Sequence, residues 1–441
     1  KPGLNDTQAG ELLLADTVLP DGLSAEEERE ACRALKGAML RQEVYAEDDS
    51  DKAQYPYTIT EQNFTIQRLQ PQAGNHAVFF THPREAISYH YERNPADPRI
   101  THALTLEVDD FGNVLRSLAI GYPRADGPAR RPEQNETHLT LTLNRVANRD
   151  DQPDWRRVGL PVETRTYEAV KPPAAEQRFT WKEMNDLVTA LVPLDQNEAP
   201  LANTIPYEQW DWRKRWNAQT EPGGLINDVS VNTRLRLIEH VRTLYRKNDL
   251  TDLLPLGSVD SLALPGESYK LAFTPGLLAQ VFKRKQAGQP DEDLLPNPAP
   301  LLEGTGGDQG GYLAEAGNWW IPTGRVFYSE DPNDAAVQEL AVARAHFFLP
   351  RRYRNPFGQD TLVAYDGPSD PNQPRYDLLV SRTSDALGNT VTAQHDYRVL
   401  QPKLVSDPNG NRSEAAFDAL GMLVGTALME GGDSLKDFQT D

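Results

Sequence analysis

The chain has 441 residues with 45 Lys and Arg against 65 Asp and Glu, a formal net charge of −20. That balance repels the phosphate backbone and anionic lipid headgroups, which excludes nucleic acid and membrane surfaces as general partners. No run of about 18 apolar residues is present to cross a bilayer as a helix, and the lone cysteine, Cys32, excludes an internal disulfide and a Cys-built zinc site.

The chain starts at Lys1 without a charged and then apolar leader, so no signal peptide is read. The 34 prolines and 30 glycines favour short strands joined by turns. From Ser24 to about Tyr45, Ala31, Leu35, Ala38 and Met39 recur at helical spacing, with Ser24 as cap and Glu26 to Glu28 in the first turn, which predicts a helix. Cys32 lies beside that stripe and reads as a packed structural thiol. After Pro56 the period becomes two: Tyr57, Ile59, Phe64 and Ile66; Ala77 to Phe80; Ile87, Tyr89 and Tyr91; Leu104, Leu106 and Val108; Leu139, Leu141 and Leu143. These stretches read as strands.

Polar or Pro-rich stretches at Arg124 to Glu133 and after Val170 read as seams. Short helices are expected at Thr180 to Leu191, Thr274 to Lys285 and Asp334 to Ala345, and the segment from Gly288 to Gly311 as mobile surface loop. The resulting division is 1–125, an N-terminal helix plus strands; 126–300, mixed strands and short helices; and 301–441, β-hairpin repeats.

The most informative pattern is Asp-x-x-Gly-Asn, at Asp109 to Asn113, Asp385 to Asn389 and Asp407 to Asn411, with variants at Asn355 to Gln359 and Asp418 to Met422. Asp or Asn can bond the backbone two residues on, and glycine supplies positive φ three residues along, so Asp109, Gly112, Asn113, Asn355, Gly358, Asp385, Gly388, Asn389, Asp407, Gly410, Asn411, Asp418 and Gly421 are the candidate residues of a recurring turn. Tyr365-Asp366 and Tyr376-Asp377 lie 11 residues apart, as do Asp407 and Asp418, which suggests a hairpin unit of roughly 20 residues.

These units resemble Rhs/YD repeats, which couple an Asp-x-x-Gly turn to a Tyr-Asp or Phe-Asp pair, as at Phe417 to Gly421. Longer phrases resemble the B component of bacterial tripartite insecticidal toxin complexes, the Tc toxins, over nearly the whole chain. Among them are EEEREACRALKGAMLRQEVYAED, HPREAISYHYERNPADPRITHALTLEVDDFGNVL and RAHFFLPRRYRNPFGQDT. The resemblance implies a mainly β fold with a few short helices, an Rhs/YD-repeat curled β-sheet forming part of a hollow shell. It also implies the C component as partner, closing the shell with its toxic C-terminal chain inside. The A component would be met only through a β-propeller, for which no blade-like repeat is found here, and the complex would be secreted. The family's self-cleaving aspartyl protease belongs to the C component, so no catalytic residue is carried over.

Other chemical motifs are weak. Gly432 to Leu435 spells GDSL, but no His follows Ser434 to complete a hydrolase triad. The Gly-rich run at Glu303 to Gly311 misses the dinucleotide fingerprint at Gln309, and Asp407 to Asn411 departs from a calcium loop. The histidines at 76, 82, 90, 102, 138, 240, 346 and 395 show no ligand spacing, although His82, His90 and His102 fall near strands. Trp210, Trp212 and Trp216 flank Arg213, Lys214 and Arg215 and read as local packing with cation–π contacts. Trp319 and Trp320 read as anchors of a subdomain contact.

The expectation is therefore a non-enzymatic shell segment without cofactor or metal, having a polar and largely acidic cavity wall and unpaired strand edges. The alternative is an Rhs-type surface adhesion or carbohydrate-binding module.

Overall fold

A computed structural model describes residue 10 and residues 13–124, 131–170, 172–175, 178–192, 203–209, 233–285, 288–304, 309–367 and 376–429. The protein is mainly β, its strands paired antiparallel in a sheet that does not close on itself. Among the described strands β8 pairs with β9 in parallel, and an isolated bridge joins Val18 to Thr65 in parallel. The strands are β1 Arg41–Val44, β2 Thr58–Gln70, β3 Val78–His90, β4 Arg99–Val108, β5 Val114–Gly121, β6 His138–Arg149, β7 Arg157–Val170, β8 Thr204–Ile205 and β9 Arg234–Arg246. They continue with β10 Leu264–Phe273, β11 Lys283–Arg284, β12 Glu292–Asp293, β13 Leu313–Glu315, β14 Asn318–Phe327, β15 Arg352–Arg354 and β16 Asp360–Tyr365. The last five are β17 Val380–Ser384, β18 Thr390–Asp396, β19 Gln401–Ser406, β20 Arg412–Phe417 and β21 Leu423–Met429. The helices are α1 Ala25–Arg33, α2 Trp181–Leu191, α3 Pro275–Val281, α4 Ala299–Leu302 and α5 Ala336–Ala345.

Two compact units divide the chain. The first comprises Lys1–Val146, Glu163–His240 and Gly276–Val281, and the second Ala147–Val162, Val241–Pro275 and Phe282–Asp441.

In the first unit β1 to β5 form a meander whose ladder runs from Arg41 opposite Glu61 to Gly121 opposite His138 on β6. The period-two residues Leu104, Leu106, Leu118, Ile120, Leu139 and Leu141 all point to one face, where α2 covers them with Met184, Val188 and Leu191. Each fully buried side chain of this kind stabilises by roughly 1.5–3 kcal/mol. Thr180 opens α2 through a capping box, its hydroxyl accepting from the Glu183 backbone N–H while the Glu183 carboxylate accepts from the Thr180 N–H.

The predicted helix from Ser24 to Tyr45 stops at Arg33. Gly37 at φ +86° breaks the chain direction, and Arg41 to Val44 pair with β2 instead. Ladder hydrogen bonds outweigh the weak periodicity of Ala38 and Met39. Cys32 is exposed, because α1 buries only Glu27 and Ala31. Glu27 holds the Arg68 guanidinium and the Gln72 backbone N–H, so α1 covers the far end of β2.

In the second unit β10 pairs with β14, which continues through β15 and β16 to β21, each strand antiparallel to the one before. Its small core is Leu250, Leu264, Tyr328 and Ala343, with Val326, Leu340 and Phe348 packed against it. The segment from Gly288 to Gly311, expected as loop throughout, contains β12 and α4. The last two predicted short helices are shorter than expected, α3 ending at Val281 and α5 beginning at Ala336.

Candidate functional site

All five Asp/Asn-x-x-Gly-x segments adopt one turn. In each, the first residue's N–H donates to the carbonyl of the fifth: Asp109 to Asn113, Asn355 to Gln359, Asp385 to Asn389, Asp407 to Asn411 and Asp418 to Met422, at 2.9–3.0 Å. The glycine N–H donates back to the first carbonyl at 3.0–3.1 Å, and Gly112, Gly358, Gly388, Gly410 and Gly421 have φ between +77° and +88°. The first side chain caps the loop: Asp407 Oδ1 accepts from Asn409 N at 2.9 Å and Asn411 N at 2.8 Å, while Asn411 Nδ2 donates to Oδ2 at 2.9 Å. Asp385 and Asn389 repeat this arrangement, and Asn113 Nδ2 reaches Asp109 in the same way. The Asn amide, followed by the backbone donors, holds the carboxyls of Asp385 and Asp407 below their ordinary values.

The two Tyr-Asp pairs do different work. Asp366 N–H donates to Leu379 O at 2.8 Å, and Asp377 N–H to Asp366 O at 3.1 Å, so both aspartates stand at the base of one loop. Asp366 Oδ1 accepts from Leu378 N and Leu379 N, and Tyr397 Oη donates to Oδ2 at 2.6 Å. Burial pushes the Asp366 carboxyl up, but these donors bring it below its ordinary value, and the same bond raises Tyr397 to about 12. Asp377 receives His346 Nδ1 at 2.7 Å and Arg351 at 3.0 Å, and Arg351 also reaches Glu330 at 3.1 Å.

Buried carboxylates recur elsewhere. Glu163 meets His240 at 2.5 Å and Arg165 at 3.0 Å. Glu85 accepts from Asn63 at 2.9 Å and faces His102 Nε2 at 3.2 Å, close enough for attraction though not aligned as a hydrogen bond. His102 Nδ1 lies 3.1 Å from Tyr122 Oη. Sequence spacing could not reveal these clusters, since their members come from different strands; a lone acid amid a β alternation was the available signal. Among the described residues no three His, Cys, Asp or Glu side chains converge as a metal site, and no helix is long and apolar enough to cross a membrane. His102, His240 and His346 each stand beside a carboxylate, while His82 turns to the Pro83 carbonyl and His90 is exposed. Trp320 is buried under Arg242. Trp210, Trp212, Trp216 with their basic neighbours, the GDSL tail and residues 305–308 of the Gly-rich run lie outside the described residues.

Beyond the loop base, β17 to β21 form a distinct surface. From Leu378 to Met429 no residue is buried, so the strands have solvent on both faces.

The strands form a large antiparallel sheet that does not close on itself, with a recurring Gly turn and no buried residue in its last strands. Residues 30–160 match the family model described as the insecticide toxin TcdB middle/C-terminal region. Over its length the chain is similar to a solved TcdB2-TccC3 structure at 21% identity, covering 98% of this chain and 19% of that one, with a TM-score of 0.51. It is similar at 22% identity to the Photorhabdus luminescens Tc holotoxin pore, covering 97% of this chain and 18% of that one, TM-score 0.51. No curated protein matches the chain. The chain therefore spans about a fifth of the length of the solved chains it matches. The resemblance read from the sequence, a region of a Tc toxin B component, agrees with both the family match and the fold.

Proposed function

We propose that this chain is a non-enzymatic segment of the wall with which a secreted toxin complex encloses the cytotoxic C-terminal region of its C component before translocation. Residues 301–441 are its repeat-bearing part, with the Asp-x-x-Gly turns as Rhs/YD-type corners. The observation that carries this reading is the sheet of β17 to β21, one layer thick and unburied on both faces. An ordinary domain buries one face of a sheet against a second layer. A layer with two accessible faces suits a partition between two aqueous spaces. The side-chain caps and ladder bonds fix its corners and register without needing a core.

The test is co-expression of the full-length protein with the C component, followed by gel filtration and particle imaging. A stable complex enclosing a cavity is expected. Two components that elute separately, or a solid particle, would refute the assignment.

A further inference from the structure

We infer that one particular face of β17 to β21, the uncharged one, is turned towards the enclosed polypeptide. The inference rests on the wall reading above and adds which side is inside.

The registers assign every side chain to a face, because directly opposed residues in an antiparallel pair project to the same side. Arg382 opposes Thr392, Thr392 opposes Ser406, Ser406 opposes Arg412, and Glu414 joins them opposite Leu404 and Ala427. Between the bulges, the other face is built from Thr383 opposite Val391, Ala393 opposite Val405, Val405 opposite Ser413, Ser413 opposite Leu428, and Ala415 opposite Thr426. Every acid and base of these paired positions therefore lies on the first face, and the second carries only apolar and hydroxyl side chains; Lys403 stands at the bulge between Pro402 and Leu404, outside these pairs. Three acids of the region stand in the turns, at Asp385, Asp407 and Asp418, while Asp396 ends β18 and Glu414 lies in β20. A largely acidic wall, expected from composition, is thus not what the paired positions carry.

Physical chemistry tells the two faces apart. The outer surface of a secreted particle stays soluble through hydrated charges, which Arg382, Arg412 and Glu414 supply. An inner surface must touch a cargo of arbitrary sequence. Fixed charges there would capture segments of opposite sign in water-poor surroundings, where ion pairs strengthen. Threonine, serine, alanine and valine offer contact without such selection. The uncharged face is accessible: Leu428 is 88% exposed.

The test uses the full-length protein assembled with its C component, in a Cys32→Ser background. Neighbouring residues of one strand are exchanged singly, Val391→Cys on the uncharged face and Thr392→Cys on the charged one. Thr383→Cys and Thr390→Cys form a second pair in case either member of the first disturbs assembly. Each complex is treated with a maleimide on a bulky polyethylene glycol chain, before and after opening with urea. Residues 392 and 390 are expected to label in the intact complex, whereas labelling at 391 and 383 is lost until the particle opens. The reverse pattern would overturn the face assignment while leaving an enclosed volume in place. Equal labelling of both faces in the intact complex would overturn the assignment together with the wall reading beneath it.

Discussion

Gly388 has φ +86° and open space where a Cβ would stand, so a side chain there meets only backbone strain. Replacing it with alanine is expected to cost about 1–2 kcal/mol, the usual penalty of a left-handed L-residue, measured as a lower urea midpoint. Gly324, also in open space but without positive φ, should tolerate alanine without loss. At the same turns Asp385 and Asp407 have carboxyls held below the ordinary value of 3.8. A depressed carboxyl contributes stability that is complete above its unfolded value and fades as the pH falls through the lower folded value. Thermal stability measured downward from pH 5 should therefore decline in wild type, and the decline should be shallower in an Asp385→Asn, Asp407→Asn double variant. Within the first unit burial pushes Glu85 up, and the pull of His102 and the Asn63 amide more than offsets it. Glu85→Leu takes from the buried Asn63 amide one of its two acceptors, the Ala15 carbonyl remaining, and from His102 its facing carboxylate, an expected cost of about 1–3 kcal/mol, read by chemical denaturation. At this scale legibility follows distance along the chain. Every group in the Asp407 turn lies within five residues, so spacing carries the chemistry. Asn63, Glu85 and His102 meet only through the β2–β3–β4 registers, which spacing does not encode.

Element by element, the segments with strong internal signals lie where periodicity puts them. Helix α2 combines a capping box with an apolar stripe of Met184, Val188 and Leu191, and the alternation of Leu104 and Leu106 becomes β4. Thr180→Ala is expected to destabilise by about 1 kcal/mol, seen as reduced helical signal and a lower midpoint. Residues 34 to 45 differ because their fate depends on β2, a partner the local pattern does not contain. The Tyr-Asp pairs differ for a similar reason. Their equal spacing suggests equal roles, yet Asp366 gathers backbone N–H groups and Tyr397 while Asp377 gathers His346 and Arg351. Strand edges also contrast within the described residues. The outer side of β2 is taken by β1, by a bridge from Val18 to Thr65 and by α1, whereas β21 pairs with β20 and exposes Leu423, Val424 and Leu428. Unpaired strand edges invite further strands.

For the whole molecule, composition excluded a disulfide scaffold and a membrane-spanning helix, and long sequence phrases carried the toxin-complex resemblance. What they could not convey is thickness, since one layer or two can be built from the same alternating residues. The absence of buried side chains from Leu378 to Met429 supplies that information, and the proposed containment role rests on it. Protection of cargo tests this claim most directly. The full-length protein is assembled with its C component and exposed to a non-specific protease, and survival of the C component's C-terminal region is followed by mass spectrometry. Enclosure predicts that the region survives in the complex and is digested when the C component is treated alone. Equal digestion in both samples would contradict the account.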